Sequence, residues 1–156
     1  MSRFECFPLA SAATREALVL EARMADGAAL ADHFHVLLME GALARVIESV
    51  GKRPELLAGL LPIVANPEAA MNVRLGASVV FERYAGSPVL RTLVPRLGEL
   101  AAHSDGRVRA DACHFLGLSG AEAAIGYLRP RLVDPDGDVR EIAADSLAAL
   151  EVADCG

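Results

Sequence analysis

Residues 128–150 read LRPRLVDPDGDVREIAADSLAAL: an apolar turn carrying Pro130, a polar DPDGD turn, and Val139-Arg140 opening an alanine-rich run. The same phrase stands twice upstream. Pro62, Pro95 and Pro130 lie 33 and 35 residues apart, and Val73-Arg74, Val108-Arg109 and Val139-Arg140 follow them in step. A period of this length marks stacked helical pairs, because a single pair cannot bury its apolar face without a neighbour.

Composition agrees with helices. The chain has 156 residues, 53% hydrophobic but only 4% aromatic. Its core must therefore come from Ala, Leu and Val, and the small side chains let helices approach closely. Ala and Leu are strong helix formers, and no alternating β-branched run appears. The expectation is an all-α superhelix of about three helical pairs in a single domain, residues 1–156, a length that suffices for a continuous core.

Charged residues interrupt every apolar stretch before the roughly 18 residues of a spanning helix, so no membrane segment is expected. Three scattered cysteines, Cys6, Cys113 and Cys155, with no C-x-x-C pair, suit reduced thiols in a cytoplasm. The N-terminus carries Glu5 and Pro8 where a signal peptide needs an apolar run. The net charge of −6 falls as −3 over residues 1–50, +2 over 51–104 and −5 over 105–156. No block is basic enough to serve as a nucleic-acid footprint.

Outward from the repeats, residues 1–53 are helical by pattern but lack the phrase, and read as an N-terminal cap or a degenerate repeat. Helices are expected from Ser11 to Met24, Ala28 to Glu40 and Ala42 to Val50, with Gly51 as a left-handed cap. Residues 54–150 hold three pairs: Glu55 to Val64 with Glu68 to Tyr84, Val89 to Ala102 with Arg107 to Leu118, and Ala121 to Val133 with Asp138 to Leu150. Residues 151–156 read as a frayed tail. Pro62, Pro95 and Pro130 fall inside the first helix of each pair, where each should bend it at a cost near 3 kcal/mol in isolation.

These residues carry a resemblance. The stretch from Leu128 to Leu150 resembles a HEAT repeat of the short bacterial, PBS-lyase-like kind. Leu93 to Gly120, with Asp105-Gly-Arg-Val-Arg109, is a second copy, and Leu60 to Gly86 a third in which Ala70 replaces the turn aspartate. The resemblance implies a HEAT-like solenoid and a ladder of turn aspartates and arginines between repeats, mapped here onto Asp105 with Arg109 and Asp136 with Arg140. Aspartate at a helix start also caps free N–H groups.

The remaining constellations favour structure over chemistry. Cys113 follows Ala112 at a small inward position and reads as a buried thiol. His33 and His35 point about 200° apart on a helix and cannot share an ion. His103 sits at a helix end, where positive charge suits the dipole. Asp134, Asp136 and Asp138 lack the further ligands of a calcium loop and read as a solvated turn. No catalytic, cofactor-binding or metal-binding motif is present.

The leading functional expectation is a non-catalytic protein-protein interaction module, an adaptor that binds its partner on the concave helix face. Side chains there that are neither core nor ladder are Val79, Glu82, Arg83, Asp111, His114, Glu141 and Asp145. This acidic strip suits a basic or amphipathic helix of another protein. The alternative that the resemblance implies is a bilin lyase-like or cofactor-assembly accessory protein, which would need Phe81, Tyr84, Phe115 and Tyr127 in a cleft. Some HEAT-like proteins are DNA glycosylases, but those need a basic groove. A homodimer through the far end, at Ile142, Leu147 and Leu150, is the other association that the sequence allows.

Overall fold

The computed structural model describes residues 27–155. The helix expected from Ser11 to Met24 lies outside them, as does Cys6. Among the described residues there are helices and no strands. Two helices come first, α1 (Gly27–Met39) and α2 (Leu43–Lys52). α1 buries Leu30, Ala31, Phe34, Leu37 and Leu38, the spacing of one helical face. The left-handed glycine that closes it is Gly41, at φ 76°. Gly51 lies inside α2 instead of capping it.

Three pairs follow. The first is a 3₁₀ segment (Pro54–Leu60) running into α3 (Leu61–Val64), paired with α4 (Met71–Glu82). The second is α5 (Pro88–Thr92) and α6 (Val94–Leu100), paired with α7 (Gly106–Leu118). The third is a 3₁₀ turn (Glu122–Ala124), α8 (Ile125–Leu128) and a second 3₁₀ segment (Arg129–Val133), paired with α9 (Gly137–Asp154). α9 continues to Asp154, into the segment expected to fray.

The prolines do not bend continuous helices. Each first member is broken just ahead of its proline, and Pro62, Pro95 and Pro130 stand in the opening turns of fresh segments. There the missing N–H would have had no helical partner, so the proline costs little and its fixed φ favours the restart. Three punctuated first layers therefore face three uninterrupted second helices.

Equivalent positions carry the core. Val73, Val108 and Val139 are fully buried, as are Ala77, Ala112 and Ala143 one turn on. The rings of Phe81 on α4 and Phe115 on α7 stack at 4.4 Å between centroids and link the first two pairs. α7 and α9 pack so closely that a Cβ on Gly117 would stand 2.7 Å from Ser146 Cβ and 3.0 Å from its Cα. On the N-terminal side, a Cβ on Gly59 would meet Leu30 Cδ2 at 2.6 Å and one on Gly76 would meet Leu38 Cδ2 at 2.7 Å, so α1 packs directly on the first pair. At the C-terminal side Leu150 is buried, and Ile142 and Leu147 pack against the core. The apolar side chains left exposed there are Leu132, Val133 and Val152, not the three expected from the sequence.

Candidate functional site

The turns that open α7 and α9 share one hydrogen-bonded plan. Asp105 Oδ1 accepts from the N–H of Arg107 at 2.8 Å, and Asp136 Oδ1 from that of Asp138 at 2.9 Å. α4 has Ala70 in this place and no side-chain cap. Two residues earlier, His103 Nδ1 accepts from Asp105 N–H at 2.9 Å, and Asp134 Oδ1 accepts from Asp136 N–H at 3.0 Å. His103 and Asp134 thus do the same work, each accepting from the backbone N–H two residues on.

The arginine ladder differs from expectation in its partners. Arg109 does not pair with Asp105, whose carboxylate is taken up by Arg107. It reaches across to the next pair and grips Asp134 in a two-pronged bond, Nε to Oδ2 at 3.0 Å and Nη2 to Oδ1 at 2.9 Å. Its Nη1 donates to the carbonyls of His103 and Ser104 at 2.9 and 3.0 Å. Asp134 also accepts from Arg131 at 2.9 Å. Far from being solvated, Asp134 is 3% exposed. Arg109 in particular, with backbone N–H and Arg131, holds its carboxyl below the ordinary aspartate value. Arg140 Nη1 donates to the Asp134 carbonyl, repeating the bond from Arg109 to His103, and its link to Asp136 is not formed as an ion pair.

Arg74, the third arginine of the series, has no such target, because His103 occupies the place in the second pair that Asp134 holds in the third. It bonds instead to Asp111 on α7, tying two second helices together.

Next to this link the second helices enclose a groove of about 340 Å³. Its walls include Leu75, Ala110 and Glu141, which follow Arg74, Arg109 and Arg140 in the sequence and so occupy one register position in three helices. Asp111 and Ile142 follow them in turn, and Met71, Asp136 and Asp138 close the helix-start end. A Cβ on Gly106 would collide with the Asp136 carboxylate, so a larger residue there would push aside the group that caps α9.

Of the expected strip, Asp111 and Glu141 line this groove. Glu82 and His114 lie further along α4 and α7, with Oε1 and Nε2 3.6 Å apart and both side chains about half exposed. Val79 on α4, Arg83 just past its end and Asp145 on α9 are exposed but do not line the groove. Met71, Leu75 and Ile142 were missed, although Met71, Leu75 and Val79 are spaced by four and form one stripe, exposed by 71, 58 and 38%.

The aromatic cleft needed by the alternative reading does not form, because Phe81 and Phe115 are core, and Tyr127 lies against Gly98. Cys113 is fully buried, and burial pushes its thiol up to about 11. Among the described residues no cluster of three or more His, Cys, Asp or Glu is placed to hold a metal ion. Nor is any described helix long and apolar enough to cross a membrane.

No curated protein and no solved structure matches the chain. A family model of HEAT repeats matches residues 58–148, from within the first 3₁₀ segment into α9, and takes in the ladder and groove just described. The chain belongs to the HEAT-repeat family.

Proposed function

We propose that this chain is a non-catalytic adaptor, a HEAT-repeat module that holds a partner protein on the face made by α4, α7 and α9. The observation that carries the reading is the exposed stripe of Met71, Leu75 and Val79 beside the groove. Large apolar side chains aligned along one helix face and open to water mark a docking surface. In a solenoid the second helices supply the extended inner side on which such docking takes place. Glu82, His114 and Asp145 extend this face with polar groups that set orientation. The D-x-x-V-R turns Asp105–Arg109 and Asp136–Arg140 favour the short bacterial, PBS-lyase-like subtype, working as a scaffold in the cytoplasm.

The test is site-directed photo-crosslinking in an extract of the source cells. A photoreactive amino acid at Leu75 or Glu82 should capture a partner protein, and the same probe at Leu132, exposed on the first-helix layer, should not. Equal capture from both layers overturns the assignment of the face.

A further inference from the structure

The charges around the groove are unequally engaged, and this deepens the reading above, on which it rests. Arg74 is bonded to Asp111 and Arg107 to Asp105, so each cation beside the groove already faces a carboxylate. Asp136 caps α9. Asp138 and Glu141 are exposed and make no side-chain hydrogen bond or ion pair among the described residues. Three residues apart on α9, they lie on one face and converge on the same space. One turn from Asp138 on that face is Ile142, and across the groove stand Met71 and Leu75. An apolar wall thus adjoins two unpaired carboxylates.

The size of the space selects the occupant. About 340 Å³ is close to the lower end of the roughly 300–1,000 Å³ found for small-ligand pockets. It has room for a pair of side chains and not for a helix backbone.

We propose that the groove receives two side chains from an amphipathic partner helix, an apolar one and, a turn away, a lysine or arginine. The apolar side chain covers Met71, Leu75 and Ile142, and the cation sits between Asp138 and Glu141. Charge complementarity fixes the orientation of the helix, since reversing it would carry the cation away from Asp138 and Glu141 and set it on the apolar wall of Met71 and Leu75.

The experiment is display selection of a helical peptide library on the full chain, followed by fluorescence anisotropy with the selected peptide. The selected sequences should pair an apolar residue with Lys or Arg three or four positions away. The double variant Asp138→Lys/Glu141→Lys should weaken binding by about tenfold or more. Binding should return when the basic residue of the peptide is changed to glutamate. Both replaced positions are exposed, so the circular dichroism melt should fall only slightly, through the lysine placed in the first turn of α9. Peptides without a basic residue, or peptides insensitive to the double variant, overturn the proposal. If such peptides still lose affinity on Leu75→Asp, the docking face survives and only its charge code fails. If no selected peptide responds to either change, both readings fail.

Discussion

Replacing Asp134 by alanine tests the inter-repeat lock most directly. The carboxylate accepts two bonds from Arg109, one from Arg131 and one from the Asp136 backbone, all within 3.0 Å. Removing one partner of a buried ion pair leaves the other charge without compensation, typically at 3–5 kcal/mol. Arg109 keeps 9% of its surface exposed, so the lower end applies, about 3 kcal/mol. The Arg131 bond is part-exposed and adds well under about 1 kcal/mol. With a urea slope near 2 kcal/mol per molar, the unfolding midpoint should fall by about 1.5 M, read by circular dichroism. The hydrophobic double replacement Arg109→Met/Asp134→Leu should recover only part of this loss. It removes the stranded charge but abandons the carbonyls of His103 and Ser104, which Arg109 now satisfies. A loss below about 1 kcal/mol for Asp134→Ala would refute the view that this pair locks the second and third repeats.

The same carboxyl predicts an acid dependence. Arg109 lowers its folded pKa, so its stabilising contribution is complete above the unfolded value of about 3.9 and disappears as pH falls through the folded one. The gap in stability between wild type and Asp134→Ala, followed by urea titration, should therefore be constant near neutrality and shrink only below about pH 4. Ala70→Asp should supply the cap that α4 lacks and raise stability by about 0.5–1 kcal/mol in the same assay. Gly117→Val should cost about 2–3 kcal/mol because the backbone of Ser146 blocks it, whereas Gly98→Val should cost less, since the half-exposed Tyr127 ring can swing outward. Burial and a thiol pKa of about 11 should protect Cys113 from iodoacetamide at neutral pH while exposed Cys155 is modified, as peptide mass mapping would show.

Periodicity made the architecture legible because every core position recurs: Val73, Val108 and Val139 are interchangeable as read and as folded. Proline was legible as a landmark but not as a geometry. The same apolar spacing suits an α-helix bent by Pro95 and two short helices with Pro95 in the opening turn of the second, and the backbone takes the second form. The ladder was misassigned for a related reason. Sequence spacing shows Asp105 one turn from Arg109, but the bond runs 25 residues on to Asp134. Local adjacency was a poor guide because the turn aspartate is held by its own helix start, leaving the arginine to find a partner in the next repeat.

The groove was hidden by the very regularity that revealed the fold. Structural positions repeat, so a reading that aligns repeats finds what is constant and passes over what varies. Residues 75, 110 and 141 occupy one register position yet are Leu, Ala and Glu, and residues 76, 111 and 142 are Gly, Asp and Ile. The first pair departs most, with an uncapped Ala70, an exposed Met71 and an Arg74 turned toward Asp111 because His103 stands in the place of Asp134. Of these, Met71 and Arg74 line the groove and Ala70 directly precedes it in the chain. A repeat protein that needed only to stack would gain by keeping the cap, the ladder and a polar residue at position 71, so departures gathered in one place are where selection for something other than stability is expected to act.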